Sequence, residues 1–126
     1  MTRFCFFTEL LLACSGFFTL VFVPGLSASQ ELYQQRCTAC HSIGGGRRVG
    51  PDLIGVGDRR SEAWLLKFIK SSQSVVKSGD PVAKALFEEF KIAMPDQALS
   101  NDQIKGILAH IKAVGSTLTT ASGTSE

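Results

Sequence analysis

The sequence predicts a single domain built only from α-helices, and three observations point to it. Four segments place apolar residues at helical spacing, and three of them begin with a recognisable N-terminal cap. No segment shows the alternation of apolar and polar residues that is typical of a half-buried strand. The chain has 126 residues, a length that allows one domain and not two.

The first two predicted helices occupy the N-terminal half of this domain. The first covers residues 30 to about 40. The second begins after Ser61, a favourable N-cap, and has Glu62 in its first turn. Its apolar face follows the spacing i, i+1, i+4 and i+5, which gives Trp64, Leu65, Phe68 and Ile69.

The last two predicted helices also carry their own start signals. Asp80 is the expected cap of the third, with Pro81 at its first position. The inner face of this helix is predicted to be Val82, Leu86, Phe87 and Phe90. The fourth opens with a capping box from Ser100 to Gln103. Its apolar stripe is Ile104, Ile107, Leu108 and Ile111, and it is expected to pack across the first helix.

The N-terminal segment has the composition of an export signal. An apolar run covers residues 10–23, a basic residue lies near the start, and small residues follow at 27–29. Residues 1–28 are therefore predicted to be a signal peptide that directs the domain to the periplasm or an equivalent space. An uncleaved membrane anchor facing that space is the alternative, and a lipoprotein cut at Cys14 is a weaker one. The run is short for a membrane span.

The C-terminal end is predicted to be a tail. Gly115 is a typical helix terminator, and the small and polar residues 115–126 are expected to form a disordered segment. The folded domain is thus predicted to span residues 29–114. A domain this short is marginal without a disulfide, a metal or a cofactor, because it buries too little surface.

The predicted domain contains two cysteines, Cys37 and Cys40, and His41 follows them directly. A redox dithiol would be expected after a strand, whereas this pair ends a helical segment. A zinc site needs four ligands, and only His110 is left as a further His or Cys. Cys-x-x-Cys-His is the sequence that attaches haem covalently. Positions i, i+3 and i+4 of a helical turn share one face, so all three side chains can reach one porphyrin.

From about residue 29 to residue 113, the sequence resembles the small single-haem c-type cytochromes of class I. The resemblance rests on motifs in family order: Cys-x-x-Cys-His, the turn Gly50-Pro51-Asp52-Leu53, Trp64 and Met94-Pro95. It implies the cytochrome c fold, with about four short helices wrapped around one haem c. Tyr33 matches the aromatic residue that the family has before the first Cys. Ser29 stands where the family favours a glycine at the crossing of the terminal helices.

The resemblance also implies the residues that hold the haem. Cys37 and Cys40 would carry the thioether bonds, and His41 and Met94 would be the two axial ligands of the iron. A thioether is a soft ligand that suits low-valent iron, and a residue before proline is biased to an extended backbone. Ligation by two histidines through His110 is a weaker alternative, since His110 is expected to fill the helix crossing.

Two further residues are implied to surround the haem. In the family, the carbonyl that corresponds to Pro51 accepts the other ring N–H of the iron-bound histidine, here His41. Trp64 resembles the family tryptophan beside a haem propionate, and simple core packing is the alternative for it. The glycines at 44–46 are expected to form a flexible turn, which in this family also lets the backbone approach the porphyrin.

An iron with two protein ligands has no open position, which leaves one-electron transfer as its chemistry. The sequence shows no constellation of catalytic residues, so the chain is predicted not to be an enzyme. The resemblance implies a periplasmic carrier that moves electrons between respiratory redox partners. The alternatives are a haem subunit fixed in an oxidoreductase complex and a haem sensor with an open iron position.

The charge pattern bears on the partners. The net charge of +2 is too small for a dedicated nucleic-acid binder. Residues 29–77 contain eight basic and four acidic residues, whereas residues 78–126 contain four and six. Four arginines are predicted to form a basic rim, namely Arg47, Arg48, Arg59 and Arg60. This rim is expected to steer the protein, as a monomer, to redox proteins with acidic docking surfaces. Membrane contact is expected only if the N-terminal segment is retained. Solvated charge and pairing with propionates are the alternative roles.

Overall fold

The computed structural model describes residues 24–122. This range contains helices and no strands, which confirms the predicted all-α class. The helices are α1 (Pro24–Arg36), α2 (Val56–Arg59), α3 (Glu62–Lys77), α4 (Pro81–Phe90) and α5 (Asn101–Ser122). None of these helices combines the length and the hydropathy that a membrane crossing requires. The apolar run of the predicted signal peptide lies outside the described residues.

The boundaries of α1 differ from the prediction at both ends. The helix begins at Pro24, six residues before the predicted start, and proline is tolerated there because the first helical position needs no N–H donor. At the other end the helix stops at Arg36, but helical hydrogen bonds continue. The N–H of Cys37 donates to Tyr33 O (2.9 Å), and that of His41 donates to Cys37 O (2.8 Å). The turn therefore keeps the helical geometry that the Cys-x-x-Cys-His motif requires.

Helices α1 and α5 cross and form the core, as predicted. Tyr33 is buried there against a stripe of isoleucines from α5: Ile104, Ile107 and Ile111. At the crossing, a Cβ on Gly106 would collide with the hydroxyl of Ser29. The glycine that makes room for this contact thus lies on α5, and the first helix has a serine where the family favours glycine.

Helix α3 begins where the sequence predicts, and Ser61 Oγ accepts a hydrogen bond from the Trp64 N–H (3.3 Å). All four residues of its predicted apolar face line one large cavity. The helix is kinked at Ser71, where φ is −147° and ψ is 54°. The sequence did not predict this kink. The short helix α2 was not predicted either.

Helix α4 confirms the Asp80 cap, whose carboxylate accepts from the Ala83 N–H (2.9 Å). The predicted inner face is right for the residues that line the cavity, namely Leu86, Phe87 and Phe90. It is wrong for Val82, because the fully buried Ala83 takes that place. Residues 83, 86, 87 and 90 follow the spacing i, i+3, i+4 and i+7 of one helix face.

Helix α5 starts with the predicted capping box, in which Gln103 N–H donates to Ser100 Oγ (3.2 Å) and Ser100 N–H to Gln103 Oε1 (2.8 Å). Gly115 does not end the helix, and the expectation of disorder from residue 115 onward is wrong up to residue 122. Gly115 is buried, and a Cβ there would lie 3.3 Å from Ile54 Cγ1. Its role is therefore close packing. Hydroxyls in the last turns donate to carbonyls four residues earlier, as Thr117 does to Ala113 (3.0 Å).

The end of α4 offers a test of local stability. Lys91 adopts a left-handed conformation with φ 56°, which costs an L-residue about 1–2 kcal/mol and costs glycine little. We expect Lys91→Gly to raise the free energy of unfolding by about 1 kcal/mol in a denaturant titration. Lys84→Gly, inside the same helix, is expected to lower it by about 1 kcal/mol. A loss of stability in both variants would contradict the prediction.

Candidate cofactor site

One cavity, formed by all five helices and the loops between them, contains the predicted site. Its lining includes every residue that the sequence analysis proposed for a cofactor: Cys37, Cys40, His41, Pro51, Trp64 and Met94. Most of the remaining wall is apolar and comes from the inward faces of α3, α4 and α5. The fold therefore brings together residues that lie up to 57 positions apart in the sequence.

The two cysteines are free and half-buried. Burial, with a further contribution from Cys40, raises the pKa of the Cys37 thiol to about 11. This thiol is therefore protonated at neutral pH, whereas a redox-active dithiol has a thiol whose pKa is lowered. Among the residues that the structure describes, no group of three or more His, Cys, Asp and Glu side chains is arranged to bind a metal ion. The raised pKa of Cys37 speaks against a redox-active dithiol, and the lack of further ligands among the described residues speaks against a zinc site.

The His41 ring is held from two directions. Its Nδ1 lies 2.8 Å from the carbonyl oxygen of Pro51, which accepts the Nδ1 proton. This bond leaves Nε2 as the nitrogen that can bind a metal. Gly50 lies against the ring, and a Cβ at this position would be 2.5 Å from His41 Cε1. The N–H of Gly50 also donates to Cys40 O (2.8 Å), so that the glycine stays in contact with the turn.

Asp52 organises the loop that follows His41, a role that the sequence analysis missed. Its carboxylate accepts from the N–H groups of Gly44 (2.8 Å), Gly46 (2.6 Å) and Ile54 (2.8 Å), and from Ser42 Oγ (3.2 Å). Burial acts to raise the pKa of Asp52, but these hydrogen bonds outweigh it and hold the pKa below its usual range. The bond to the N–H two residues later is an Asx turn, which could have been a sequence signal.

The glycine run at residues 44–46 forms the expected turn, and none of its members lines the cavity. Gly44 and Gly46 have positive φ values of 74° and 81°, so the chain can curve around the carboxylate of Asp52. A Cβ on Gly44 would lie 2.7 Å from Leu118 Cδ1. The last turns of α5 therefore pack on this loop.

Trp64 joins two walls of the cavity. Its ring stacks on Phe68 with the centroids 4.6 Å apart, and its indole N–H donates to Asp80 Oδ2 (3.1 Å). The N–H of Ala83 and, to a smaller extent, that of Trp64 lower the pKa of Asp80. The resemblance implies a haem propionate beside this tryptophan, whereas in the structure the hydrogen-bond partner is a carboxylate of the protein. Trp64 thus links α3 to the N-terminus of α4.

The two candidates for a second axial ligand lie in different parts of the structure. Met94 lies on the loop between α4 and α5 and lines the same cavity as His41. His110 does not line that cavity. Its ring packs against Tyr33 with the centroids 5.4 Å apart, in the helix crossing where it was expected.

The arginines of the predicted basic rim make specific contacts. Arg47 pairs with Glu89 Oε1 (3.1 Å) and lies over the ring of Phe90, with its guanidinium carbon 4.1 Å from the centroid. Arg48 donates to Thr38 O (3.2 Å), and Arg59 donates to Asp52 O (3.2 Å). These contacts hold loops together. A carbonyl partner does not cancel a positive charge, and the cations Arg36, Arg59 and Arg60 remain in the lining of the cavity.

The lining of the cavity also suits a large apolar group. Val49, Phe87 and Ile92 are between 43% and 54% exposed, and all three line the cavity. Such side chains would be covered by an apolar ring system in contact with them. Two thiols, an imidazole and a thioether supply the bonds that a covalent haem requires. The residues present therefore fit haem c.

The fold and the site define a class: an all-helical protein that holds one covalent haem within a single domain. The profile of the cytochrome c family matches residues 26–115, and the chain belongs to this family. It binds haem c covalently through Cys37 and Cys40. It is a haem c electron carrier rather than an enzyme, and its partners are redox proteins.

Individual relatives agree with this assignment. The chain is 28% identical over 117 residues to cytochrome c2 of Rhodospirillum rubrum, with 71% of this chain and 98% of the relative covered. The structure is similar to a cytochrome c from Rhodothermus marinus, with a TM-score of 0.67, 29% identity and coverage of 74% and 78% of the two chains. It is also similar to the cytochrome c domain of the pp3183 protein from Pseudomonas putida, with a TM-score of 0.66, 26% identity and coverage of 76% and 95%.

The contact between Gly50 and His41 yields a test. A methyl group at position 50 cannot fit beside the ring, so we expect Gly50→Ala to lower the free energy of unfolding of the haem-loaded protein by about 2 kcal/mol. Gly57→Ala is the matched control, because a Cβ at Gly57 has no neighbour within 4 Å. Denaturant titration of both variants is the measurement. Equal changes in the two would show that position 50 has room for a side chain.

Proposed function

We propose that this protein is a periplasmic one-electron carrier whose haem iron is ligated by His41 and Met94, and that it shuttles electrons between respiratory redox partners. One observation carries the ligation. Met94 and His41 line the same cavity, whereas the alternative ligand His110 packs in a helix crossing. The bound haem supplies the one-electron chemistry, and a sulfur ligand favours its reduced form more than a second histidine would.

The protein's own residues support this function by fixing the ligands. The Pro51 carbonyl orients the His41 ring and makes the imidazole a stronger electron donor. The hydrogen bond between Trp64 and Asp80 connects α3 to the N-terminus of α4, and both helices line the cavity. A site held in this way changes little in geometry when the iron changes oxidation state, and electron exchange is then fast.

The location follows from the N-terminal composition. The apolar segment before the domain has the order of a secretory signal, and covalent attachment of haem fits an exported protein. We infer that the protein works in the periplasm as a monomer. A short-lived encounter with an acidic partner suits a carrier, since electron-transfer interfaces are small.

The ligation is tested by removing the sulfur. We expect the ferric, haem-loaded protein to show the sulfur-to-iron charge-transfer absorption band, and Met94→Ala to abolish it. The reduced variant should bind carbon monoxide rapidly, while the unsubstituted protein should not, because its iron has no open position. His110→Ala is the control and should keep the band. Absence of the band in the unsubstituted protein, with carbon monoxide binding gained only in His110→Ala, would identify the histidine as the ligand.

Electrostatic steering is tested with small redox ions. Arg36 is exposed and lines the cavity, whereas Lys112 is exposed on α5 away from it. We expect oxidation by the anion hexacyanoferrate(III) to slow as salt is added, because exposed charges are screened beyond about 8 Å at 0.15 M ionic strength. Arg36→Glu should reduce the low-salt rate more than Lys112→Glu, although both change the net charge equally. Identical rates in the two variants, or no dependence on salt, would contradict steering at the cavity.

A further inference from the structure

The kink of α3 coincides with the attachment of the loop that carries Met94. In a regular α-helix the N–H of Gln73 would pair with the carbonyl of Ile69. In this protein Ser71 is non-helical, and both groups have a partner on the loop. Gln73 N–H donates to Asp96 Oδ1 (3.3 Å), and Ile69 O accepts from the Gln97 N–H (3.0 Å).

Ser72 completes this attachment. Its side chain is 1% exposed and lines the cavity, and its hydroxyl donates to the backbone carbonyl of Met94. The same hydroxyl lies 3.2 Å from Asp96 Oδ1. Loop residues on both sides of Pro95 are therefore joined to the point where α3 departs from helical geometry.

We propose that the kinked segment of α3 is a receptor for the Met94 loop and that Ser72 is the positioning residue that keeps the Met94 sulfur at the iron. The inference rests on the proposed ligation by Met94. The hydroxyl acts through the backbone of Met94. It makes no bond to the Met94 sulfur and takes no part in the electron transfer. The partly buried carbonyl of Met94 is destabilised in the attached state when it loses its donor, so the loop should open more often without this hydroxyl.

The experiment measures how fast Met94 leaves the iron. Imidazole is added at saturating concentration to the ferric, haem-loaded protein, and loss of the sulfur-to-iron absorption band is followed by stopped flow. We expect Ser72→Ala to accelerate the displacement about tenfold, since the loss of one partly buried hydrogen bond costs on the order of one power of ten in an equilibrium. Asp96→Ala, which removes the acceptor of Gln73 N–H, should act in the same direction.

Ser78→Ala is the matched control. Ser78 directly follows the last residue of α3, and its hydroxyl, like that of Ser72, donates to a backbone carbonyl, that of Val75 (2.8 Å). It should leave the displacement rate within about twofold of the unsubstituted protein, even where it lowers the free energy of unfolding as much as Ser72→Ala does.

The outcomes separate the two proposals. If the unsubstituted protein shows the band and Ser72→Ala releases Met94 no faster than Ser78→Ala, the positioning role is overturned and the ligation stands. If the unsubstituted ferric protein lacks the band, the ligation by Met94 is overturned, and the positioning role fails with it.

Discussion

The structure of the site depends on one hydrogen bond, that between the ring of His41 and the carbonyl of Pro51. It sets which nitrogen of the imidazole remains for a metal, and it requires the chain to return to the histidine after ten residues. Two features allow the chain to fold back over so few residues. Gly50 has no side chain to collide with the ring, and the Asp52 carboxylate binds the N–H groups of Gly44 and Gly46 in the intervening loop. The loop between them is thus folded around a carboxylate that stays charged at neutral pH.

The two proposed ligands are held by different means. His41 belongs to a turn whose contacts are local in sequence, and its partners all lie within about ten residues. Met94 lies on a loop whose partners come from α3, more than 20 residues earlier. Local contacts form at little cost in chain entropy, whereas the attachment of the Met94 loop needs α3 to be in place. The sulfur is therefore expected to leave the iron before the imidazole does.

Sequence reasoning was right where the cause of a structure is local. Caps at Ser61, Asp80 and Ser100 depend on residues within three positions, and each was found where predicted. It was wrong for Gly115. The sequence alone does not tell a glycine that makes room for a distant side chain, here Ile54, from a glycine that ends a helix. It missed the kink at Ser71, since the groups that open the helix there come from residues 96 and 97. All six proposed site residues line one cavity. The sequence did not indicate that the Trp64 indole donates to Asp80, because the two residues are 16 positions apart and meet only in the folded chain.

A carrier must keep its iron ligands in place in both oxidation states. Arg47 joins the two loops that carry the proposed ligands His41 and Met94 at a point outside the cavity. It extends from the loop after His41 to the end of α4, which leads into the Met94 loop. An exposed ion pair alone contributes about 0–1 kcal/mol. Arg47, however, also donates to the carbonyl of Glu89 (3.2 Å) and covers the ring of Phe90. These contacts do not depend on the Glu89 carboxylate and are less sensitive to salt than the ion pair. The two loops can thus stay joined at an ionic strength that screens an exposed ion pair.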